Sequence, residues 1–430
     1  MRYRKINQKL FIENREKLLN ELKPNSVVIV HANDIMPTNS DGTMKYRQNS
    51  DLFWLTGVDQ EETILLLFPD AKDSNNKEVL FVRETNDTIM TWEGKKLNKE
   101  EATEVTDIKT VHWLSEFERI FRTVMCECEN VYLATNEHKR AVIEVETRNA
   151  RFVKRCLNEY PLHNYERLAP IMHKLRAIKS PYEVELLQEA CNLVEYGFRR
   201  VLKFLKPGVM EYEVEAEFAH EFIKRGASMA DYTPIIASGG SACVLHYIEN
   251  DKVCKDGDLL LIDVGAGYAN YNSDLTRTIP VNGKYSKRQK DVYNAVLRVM
   301  KKHQAGMKPG VQILDLQKMS EQNIEKELVD LGLLTMDDIK NQNPSWPAFK
   351  KYFMHGVSHF LGLDVHDVGD PYRKLEPGMV FTCEPGIYIR EEGIGIRIEN
   401  DILITEDGNF DLMKNIPREV EEIEEIMNSK

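Results

Sequence analysis

Four acidic residues in two matched settings carry the chemistry of this chain. Asp263 and Asp274 lie in LLLIDVGAGYANYNSDLTRT, and Glu384 and Glu399 lie in FTCEPGIYIREEGIGIRIEND. Apolar, strand-like runs flank each pair, with a Gly-bearing or polar turn between, so each segment reads as a hairpin. If Asp263 faces Asp274, the first hairpin is centred on Tyr268 and Ala269. If Glu384 faces Glu399, the second is centred on Glu391 and Glu392. Like charges directly opposite one another are destabilising. Hard cations bridged by carboxylate oxygens would account for two such pairs. With Glu384 inward, the strand period puts Tyr388 on its face and Arg397 beside Glu399 on the return strand, while Ile394, Ile396 and Ile398 take the other face. The plain alternative is the solvated side of an antiparallel sheet. A second acidic hairpin and a nearby histidine cluster argue against it.

The cluster is HGVSHFLGLDVHDVGD, with His355, His359 and His366. Two histidines four apart can share a helical face in zinc sites, but Gly356 stands where the HExxH arrangement has Glu. The flanking glycines favour a loop or a bent segment. One imidazole with four carboxylates suits Mn²⁺, Fe²⁺, Co²⁺ or a zinc pair, and neither a thiolate-rich structural zinc nor an all-oxygen Ca²⁺ site. His246, in YTPIIASGGSACVLHYIEN, precedes the first hairpin and can line the same pocket. The GGS there is followed by neither GxxxxGK(S/T) nor GxGxxG and is set aside as a phosphate cradle.

Something must position these residues, and 430 residues is too long for one ordinary core, so two domains are expected. The composition, 42% hydrophobic and 29% charged, is that of a globular protein. A net charge of −12 makes nucleic acid or an anionic membrane a poor partner. No apolar core marks the N-terminus as a secretory signal, and no apolar stretch is long enough to span a bilayer. Seven scattered cysteines, with only Cys126 and Cys128 close in sequence, fit reduced thiols in a cytoplasm. Residues 7–22 are amphipathic, and SVVIVHA, TILLLF, EVLFVR and NVYLAT have the length and branching of strands, which predicts an N-terminal α/β domain over 1–165. The remainder, 166–430, opens on Ser180-Pro181 with Glu183, a cap, a first-turn proline and an early acid. It contains a repeat: a helix over 183–205 ending in LKPGV, a helix over 211–225 and the Asp hairpin, then a helix over 286–306 ending in MKPGV, another helix and the Glu hairpin. The order suggests duplication, each half presenting one acidic hairpin to a shared centre. The tail REVEEIEEIMNSK reads as a solvated acidic helix.

Residues 170–410 resemble the pita-bread metallopeptidases, the group of methionine aminopeptidase, aminopeptidase P and prolidase. IDVGAGYANYNSDLTRT, HGVSHFLGLDVHDVG, EPGIYI and GIGIRIEND match its aspartate hairpin, histidine segment and glutamate strands, and YRQNSDLFWLTG with TWEGKKL resembles the extra domain of the proline-specific members. The resemblance implies an α/β (α+β) fold: an N-terminal α/β domain with a mixed sheet, then a pseudo-symmetric pita-bread domain of antiparallel sheet and flanking helices. It implies two divalent ions per chain, Mn²⁺ being the usual assignment. Asp263 would bind one, His359 and Glu384 the other, and Asp274 and Glu399 would bridge both. His246, His355 and His366 would contact substrate or move protons, and Arg397 would support the network. A metal-bridging hydroxide would attack the Xaa-Pro bond, with Glu384 passing the proton toward the leaving nitrogen and His355 or His366 steadying the oxyanion. The implied partners are peptides with an Xaa-Pro N-terminus and copies of the chain in a dimer or tetramer. Trp92 can reach a neighbouring subunit or simply sit at the surface. A prolidase, a creatinase-like hydrolase and a non-catalytic scaffold are the alternatives. The short VGDPYRKLEPGM favours aminopeptidase P over prolidase, and the intact ligand set disfavours the other two.

Overall fold

The structure, a computed structural model, describes residues 3–142 and 144–429. It contains two compact units, one spanning Lys5–Arg176 and one formed mainly from residue 177 onward.

In the first unit, β1 (Ser26–His31), β2 (Ile64–Leu67), β3 (Glu78–Val82), β4 (Thr110–Trp113), β5 (Asn130–Leu133) and β6 (Asn164–Arg167) form one sheet in the order β4-β3-β2-β1-β5-β6. β2 runs antiparallel to β1 and β3, and the other pairs are parallel, so the sheet is mixed. The four apolar runs noted in the sequence are β1, β2, β3 and β5, and they are buried almost throughout. Helices α1 (Lys9–Leu19), α2 (Ser50–Thr56), α3 (Asp87–Glu93), α4 (Lys99–Thr106), α5 (Phe117–Met125), α6 (Arg148–Glu159) and α7 (Ala169–Arg176) complete the unit. Phe117, Phe121 and Val124 of α5 and Phe152 of α6 pack on Val27, Ile29, Leu66 and Val131 of the sheet. α2 is the polar-then-aromatic segment: the Asn49 side chain accepts from the Leu52 N–H at its start, and Gly57 at φ 69° ends it.

The second unit contains α8 (Pro181–Phe204), α9 (Glu211–Lys224), α10 (Lys287–Gly306), α11 (Ile313–Asp330), α12 (Met336–Lys340) and α13 (Val420–Asn428). Ser180 and Glu183 form a capping box around Pro181 at the start of α8. The strands are β7 (Ser228–Met229), β8 (Ile235–Ser238), β9 (Leu259–Val264), β10 (Ala266–Tyr268), β11 (Tyr271–Asn272), β12 (Leu275–Pro280), β13 (Val380–Cys383), β14 (Gly386–Ile389), β15 (Ile394–Arg397), β16 (Asn400–Thr405) and β17 (Gly408–Asp411). All their pairings are antiparallel.

The internal repeat extends to individual hydrogen bonds. After α8, Gly208 donates to the Cys254 carbonyl, and Cys254 donates back to Val209. After α10, Gly310 donates to Leu375, and Leu375 donates back to Val311. Both glycines have φ near 90°, where a side chain is strained. Gly257 and Gly378, again at positive φ, each precede an acidic residue by six positions, Asp263 in one half and Glu384 in the other.

Two expectations are corrected. The first hairpin turns at Ala269-Asn270, both at positive φ, not at Tyr268-Ala269. Two residues at positive φ make the tight turn that matches strand twist, and Asn tolerates that conformation. Asp263 therefore pairs with Thr276, and Asp274 lies diagonal to it. The slip is two residues, so both carboxylates keep their face. The acidic tail is not simply solvated: α13 buries Val420 and Ile423 against α8 and α10.

His31, at the end of β1, is buried between the rings of Phe117 and Phe152, and neither ring nitrogen has a hydrogen-bond partner. Burial, reinforced by Arg148 and Arg155, lowers its pKa from 6.5 to about 3. The unfolded chain therefore takes up a proton that the fold refuses, and stability should fall as pH drops below the ordinary value, by about 1.4 kcal/mol per pH unit. We predict that His31→Leu flattens this loss. Hydrogen-exchange protection of β1, compared near neutral pH and about two pH units lower, checks it; an unchanged slope would remove His31 as the cause.

Candidate metal centre

The carboxylates sit where the ladders break. Glu384 lies between β13 and β14, and Glu399 between β15 and β16. The common register of the flanking pairs, Gly386 with Arg397 and Cys383 with Asn400, sets these two glutamates opposite each other. Asp274 lies between β11 and β12, across from Gly265, where a Cβ would come within 2.0 Å of the Ser273 carbonyl. The two hairpins meet at the acids: the Glu399 N–H donates to Thr276 O (3.0 Å), and the Thr276 hydroxyl donates to Glu399 Oε2 (2.6 Å).

Asp274, His359 and Glu399 each offer a ligand atom within 4.8 Å of the others. His359 Nε2 is 3.5 Å from Asp274 Oδ2 and 3.7 Å from Glu384 Oε1. The histidine segment is irregular, as its glycines suggest, and is held by backbone contacts. The His359 N–H donates to the Thr382 hydroxyl, and Thr382 N–H donates back to the His359 carbonyl. His359 Nδ1 faces the Phe360 carbonyl at 2.9 Å, so Nδ1 carries the proton and the Nε2 side is turned toward the acids.

The electrostatics call for a cation. Burial first, and then repulsion from Asp274, Glu384 and Asp263, push the Glu399 carboxyl well above the usual range. Burial raises Glu384 to about 7 despite His359 and Arg397, and raises Asp263 despite Arg397. Burial alone would lower His359, but Asp274 and Glu384 outweigh it and lift the ring to about 9. A divalent ion answers both observations, because it neutralises the acids and replaces the imidazole proton. The donor set, carboxylate oxygens with one imidazole, fits such an ion.

Around these groups runs a fixed network. Arg397 donates to Asp263 Oδ2 (2.5 Å), to the Thr276 hydroxyl (3.1 Å) and to the Tyr388 hydroxyl (2.9 Å). The Tyr388 hydroxyl is 2.8 Å from His355 Nε2, and His355 Nδ1 is 2.8 Å from the Gly356 carbonyl. With Nδ1 donating, Nε2 accepts from the tyrosine. Burial, with the charges of Arg397 and His246, lowers His355 to about 3, so it is neutral. His366 is exposed and meets the His359 ring edge-on at 4.3 Å, and His246 is exposed on the His355 side. The chain therefore brings Asp263, Asp274, His359, Glu384, Glu399, Arg397 and His355 into one network, with His366 and His246 at its rim.

Three contributors escaped the sequence reading. The Tyr232 hydroxyl lies 2.9 Å from Asp263 Oδ1 and 2.7 Å from Asp274 Oδ1. It comes from an irregular stretch between β7 and β8, with no periodicity to mark it. Asp401 accepts from the Asp274 N–H (3.0 Å) and from the Cys191 thiol. Arg277 is fully buried and donates to the carbonyls of Thr276, Glu399 and Pro417. Thr276 was accessible in principle, since strand parity puts it on the face of Asp274.

A buried group of acids around one imidazole is the hallmark of an enzyme that works through divalent metal ions. The comparisons with known proteins narrow the class: residues 185–406 match Metallopeptidase family M24 and residues 11–132 match the aminopeptidase P N-terminal domain, and the chain belongs to that metallopeptidase family. It is 36% identical to the Xaa-Pro aminopeptidase of Escherichia coli, over 98% of both chains. It is 31% identical to the Xaa-Pro dipeptidase of Mus musculus, over 98% of this chain and 94% of that one. Its fold matches the structure of E. coli aminopeptidase P with the inhibitor Pro-Leu at a TM-score of 0.87 and 35% identity, covering 99% of each. The fold is thus the α/β pita-bread architecture that the sequence resemblance implied. Among the described residues, no helix is long and apolar enough to cross a membrane.

Tyr232 has a single proton to share between two carboxylates, so it helps set their spacing. We predict that Tyr232→Phe weakens divalent-metal affinity about 10- to 100-fold, read by titrating the chelator-stripped protein with Mn²⁺. Unchanged affinity would show that the phenol is a bystander.

Proposed function

We propose that this chain removes the N-terminal residue from peptides with proline in second position. The observation that carries the reading is the convergence of Asp274, His359 and Glu399 beside Asp263 and Glu384 in a chain of this family. The proline preference is supported by the E. coli relative, an Xaa-Pro aminopeptidase whose structure was solved with Pro-Leu, a dipeptide that begins with proline. Such a dipeptide has the chemistry of the leaving fragment of an Xaa-Pro-Leu substrate. The imide nitrogen of an Xaa-Pro bond has no N–H, so the reaction needs a dedicated site.

Two ions per chain fit the donor set: Asp263 would hold one, His359 and Glu384 would hold the other, and Asp274 and Glu399 would serve both. Carboxylate oxygens with a single imidazole suit Mn²⁺. When bound, the ions supply positive charge to polarise the scissile carbonyl and to acidify a water near neutral pH. Glu384, half-buried at the centre, takes the proton of the attacking water and returns it to the leaving nitrogen. Arg397 fixes Asp263 and, through Tyr388, His355. His246 and His366, at the exposed rim, contact the peptide, and His366 steadies the developing oxyanion. His355 must exchange its Tyr388 or Gly356 partner to meet the substrate directly.

In this reading the unit Lys5–Arg176, expected from the sequence as 1–165, is the aminopeptidase P-type domain, and the remainder, expected as 166–430, is the catalytic domain. Trp92, 84% exposed, supports a contact in a homodimer or tetramer. All seven cysteines are free, which supports a reducing cytoplasm. The dipeptidase relative is the second reading, and its lower identity places it behind.

We expect hydrolysis of Xaa-Pro-Yaa tripeptides with Mn²⁺ and its loss in chelator. A protein that cuts only Xaa-Pro dipeptides is instead a dipeptidase. We also expect His359→Ala and Glu399→Ala to lose both bound metal and activity, whereas His366→Ala keeps the metal and loses turnover. Metal analysis alongside the assay separates these outcomes, and full activity in Glu399→Ala would defeat the shared-ligand role.

A further inference from the structure

Next to His366 lies a charged pair that the chemistry above does not use. Lys179 Nζ is 2.9 Å from Asp367 Oδ2, the two residues are 188 positions apart, and each side chain is 1% exposed. The backbone is shaped to admit the pair. A Cβ at Gly362 would come within 2.1 Å of Asp367 Oδ2 and 3.0 Å of Lys179 Cε. A Cβ at Gly378 would come within 2.9 Å of the Lys179 carbonyl, and the Gly378 carbonyl accepts the Lys179 N–H at 2.8 Å. Lys179 immediately precedes the Ser180 cap of α8, so its position is tied to the capped end of a 24-residue helix. On the other side, the Asp367 N–H donates to the Phe360 carbonyl at 2.9 Å. That bond closes residues 360–367 into a loop whose ends adjoin His359 and His366, which meet ring to ring at 4.3 Å and 89°.

Burying two charges is costly, and apolar replacements of such pairs are often as stable or more so. A pair of this kind therefore calls for a role beyond stability. We propose that the Lys179–Asp367 ion pair is the anchor that sets His366 against the metal centre, which makes Lys179 a positioning residue for the reaction. The inference rests on the role given to His366 in the proposed function. Asp367 leaves little freedom to its neighbour: its side chain is fixed by Lys179 and its N–H by Phe360, so the imidazole one residue earlier departs from a fixed point. Without Lys179, the Asp367 carboxylate loses its buried cation, and the close packing at Gly362, which meets both side chains, loses one of them.

The test uses the full-length protein loaded with Mn²⁺ and an Xaa-Pro-Yaa peptide. It compares Lys179→Met, the double variant Lys179→Met/Asp367→Asn, and His366→Ala. Melting temperature, bound metal per chain, KM and kcat are measured, with kinetics run where every variant is folded. Lys179→Met should be destabilised, because it strands a buried carboxylate. The double variant removes both charges and should recover stability, yet its kcat should remain about 10- to 100-fold low, the scale of a small misplacement at a reacting centre. Its metal content should stay within about twofold of the parent, since no ligand is changed, and the loss should fall on kcat more than on KM, which reports the His366 contact among several others. Recovery of kcat together with stability in the double variant, or a parental kcat in Lys179→Met, overturns the anchor. A fully active His366→Ala overturns the His366 role and the anchor with it. An inactive His366→Ala beside a fully active double variant removes the anchor alone.

Discussion

Everything in the second unit answers to one electrostatic constraint: four carboxylates and an imidazole must share a small, largely buried volume without driving the strands apart. The fold meets it by interrupting its sheets at those residues. Glu384, Glu399 and Asp274 each sit between two strand segments rather than within one. The repulsion is contained by donors that come from the same strands. Arg397 and Thr276 hold Asp263 and Glu399, Tyr232 lies between the aspartates, and the buried Arg277 guanidinium clamps carbonyls from both hairpins. The remaining deficit of positive charge is what a divalent ion fills.

The duplication explains how so improbable a cluster can be built. Each half supplies a helix pair, a positive-φ glycine after the first helix, a short antiparallel bridge and a hairpin with two acids. Packing two copies face to face brings together residues far apart in sequence using one set of local instructions. The halves then diverge where the chemistry requires it. The aspartate hairpin turns tightly at Ala269-Asn270, whereas the glutamate hairpin closes through Arg390–Glu392 and Gly393, and only the second half carries the histidine segment. A symmetrical frame thus holds an asymmetrical site, as a reaction with distinct attacking and leaving groups needs.

Much of this was legible because it depends on local rules. The cap at Ser180, the Pro-Gly helix stops, the two-residue period around Glu384 and the apolar runs of the first sheet are visible in short windows and recur in the structure. The glutamate register was recoverable because Gly393 and its polar neighbours mark one closure. The aspartate register slipped because it was set by facing Asp263 with Asp274, whereas the turn at Ala269-Asn270 pairs Asp263 with Thr276. Tyr232, Arg277 and Asp401 were not legible for a different reason. Each acts through a contact that tertiary packing alone creates, and their residue types are ordinary in their own segments. The docking of α13 belongs here too, since an acidic helix shows its apolar stripe only once α8 and α10 are there to receive it.

The same contrast shows where precision in the site originates. The two acidic hairpins are bound to one another by the Glu399 N–H on the Thr276 carbonyl and by the buried Arg277 guanidinium on the Glu399 carbonyl. The histidine segment is bonded along β13 through its backbone, Leu361 N–H on Val380, Thr382 N–H on His359 and Glu384 N–H on Val357, and is fixed further by side chains: Ser358 against His303, His359 against Thr382, Asp367 against Lys179. The His303 ring also meets Ser320 of α11, so this contact fastens the segment to both helices of the second half of the repeat. A hairpin can carry a ligand because its geometry is set by the sheet. A loop can carry one only if each chemically active residue has a neighbour that is tied elsewhere. In the proposed function the histidine segment must do both, since His359 would hold an ion and has to be rigid before the ion arrives, while His366 stands at a rim that ordinary strand geometry could not reach.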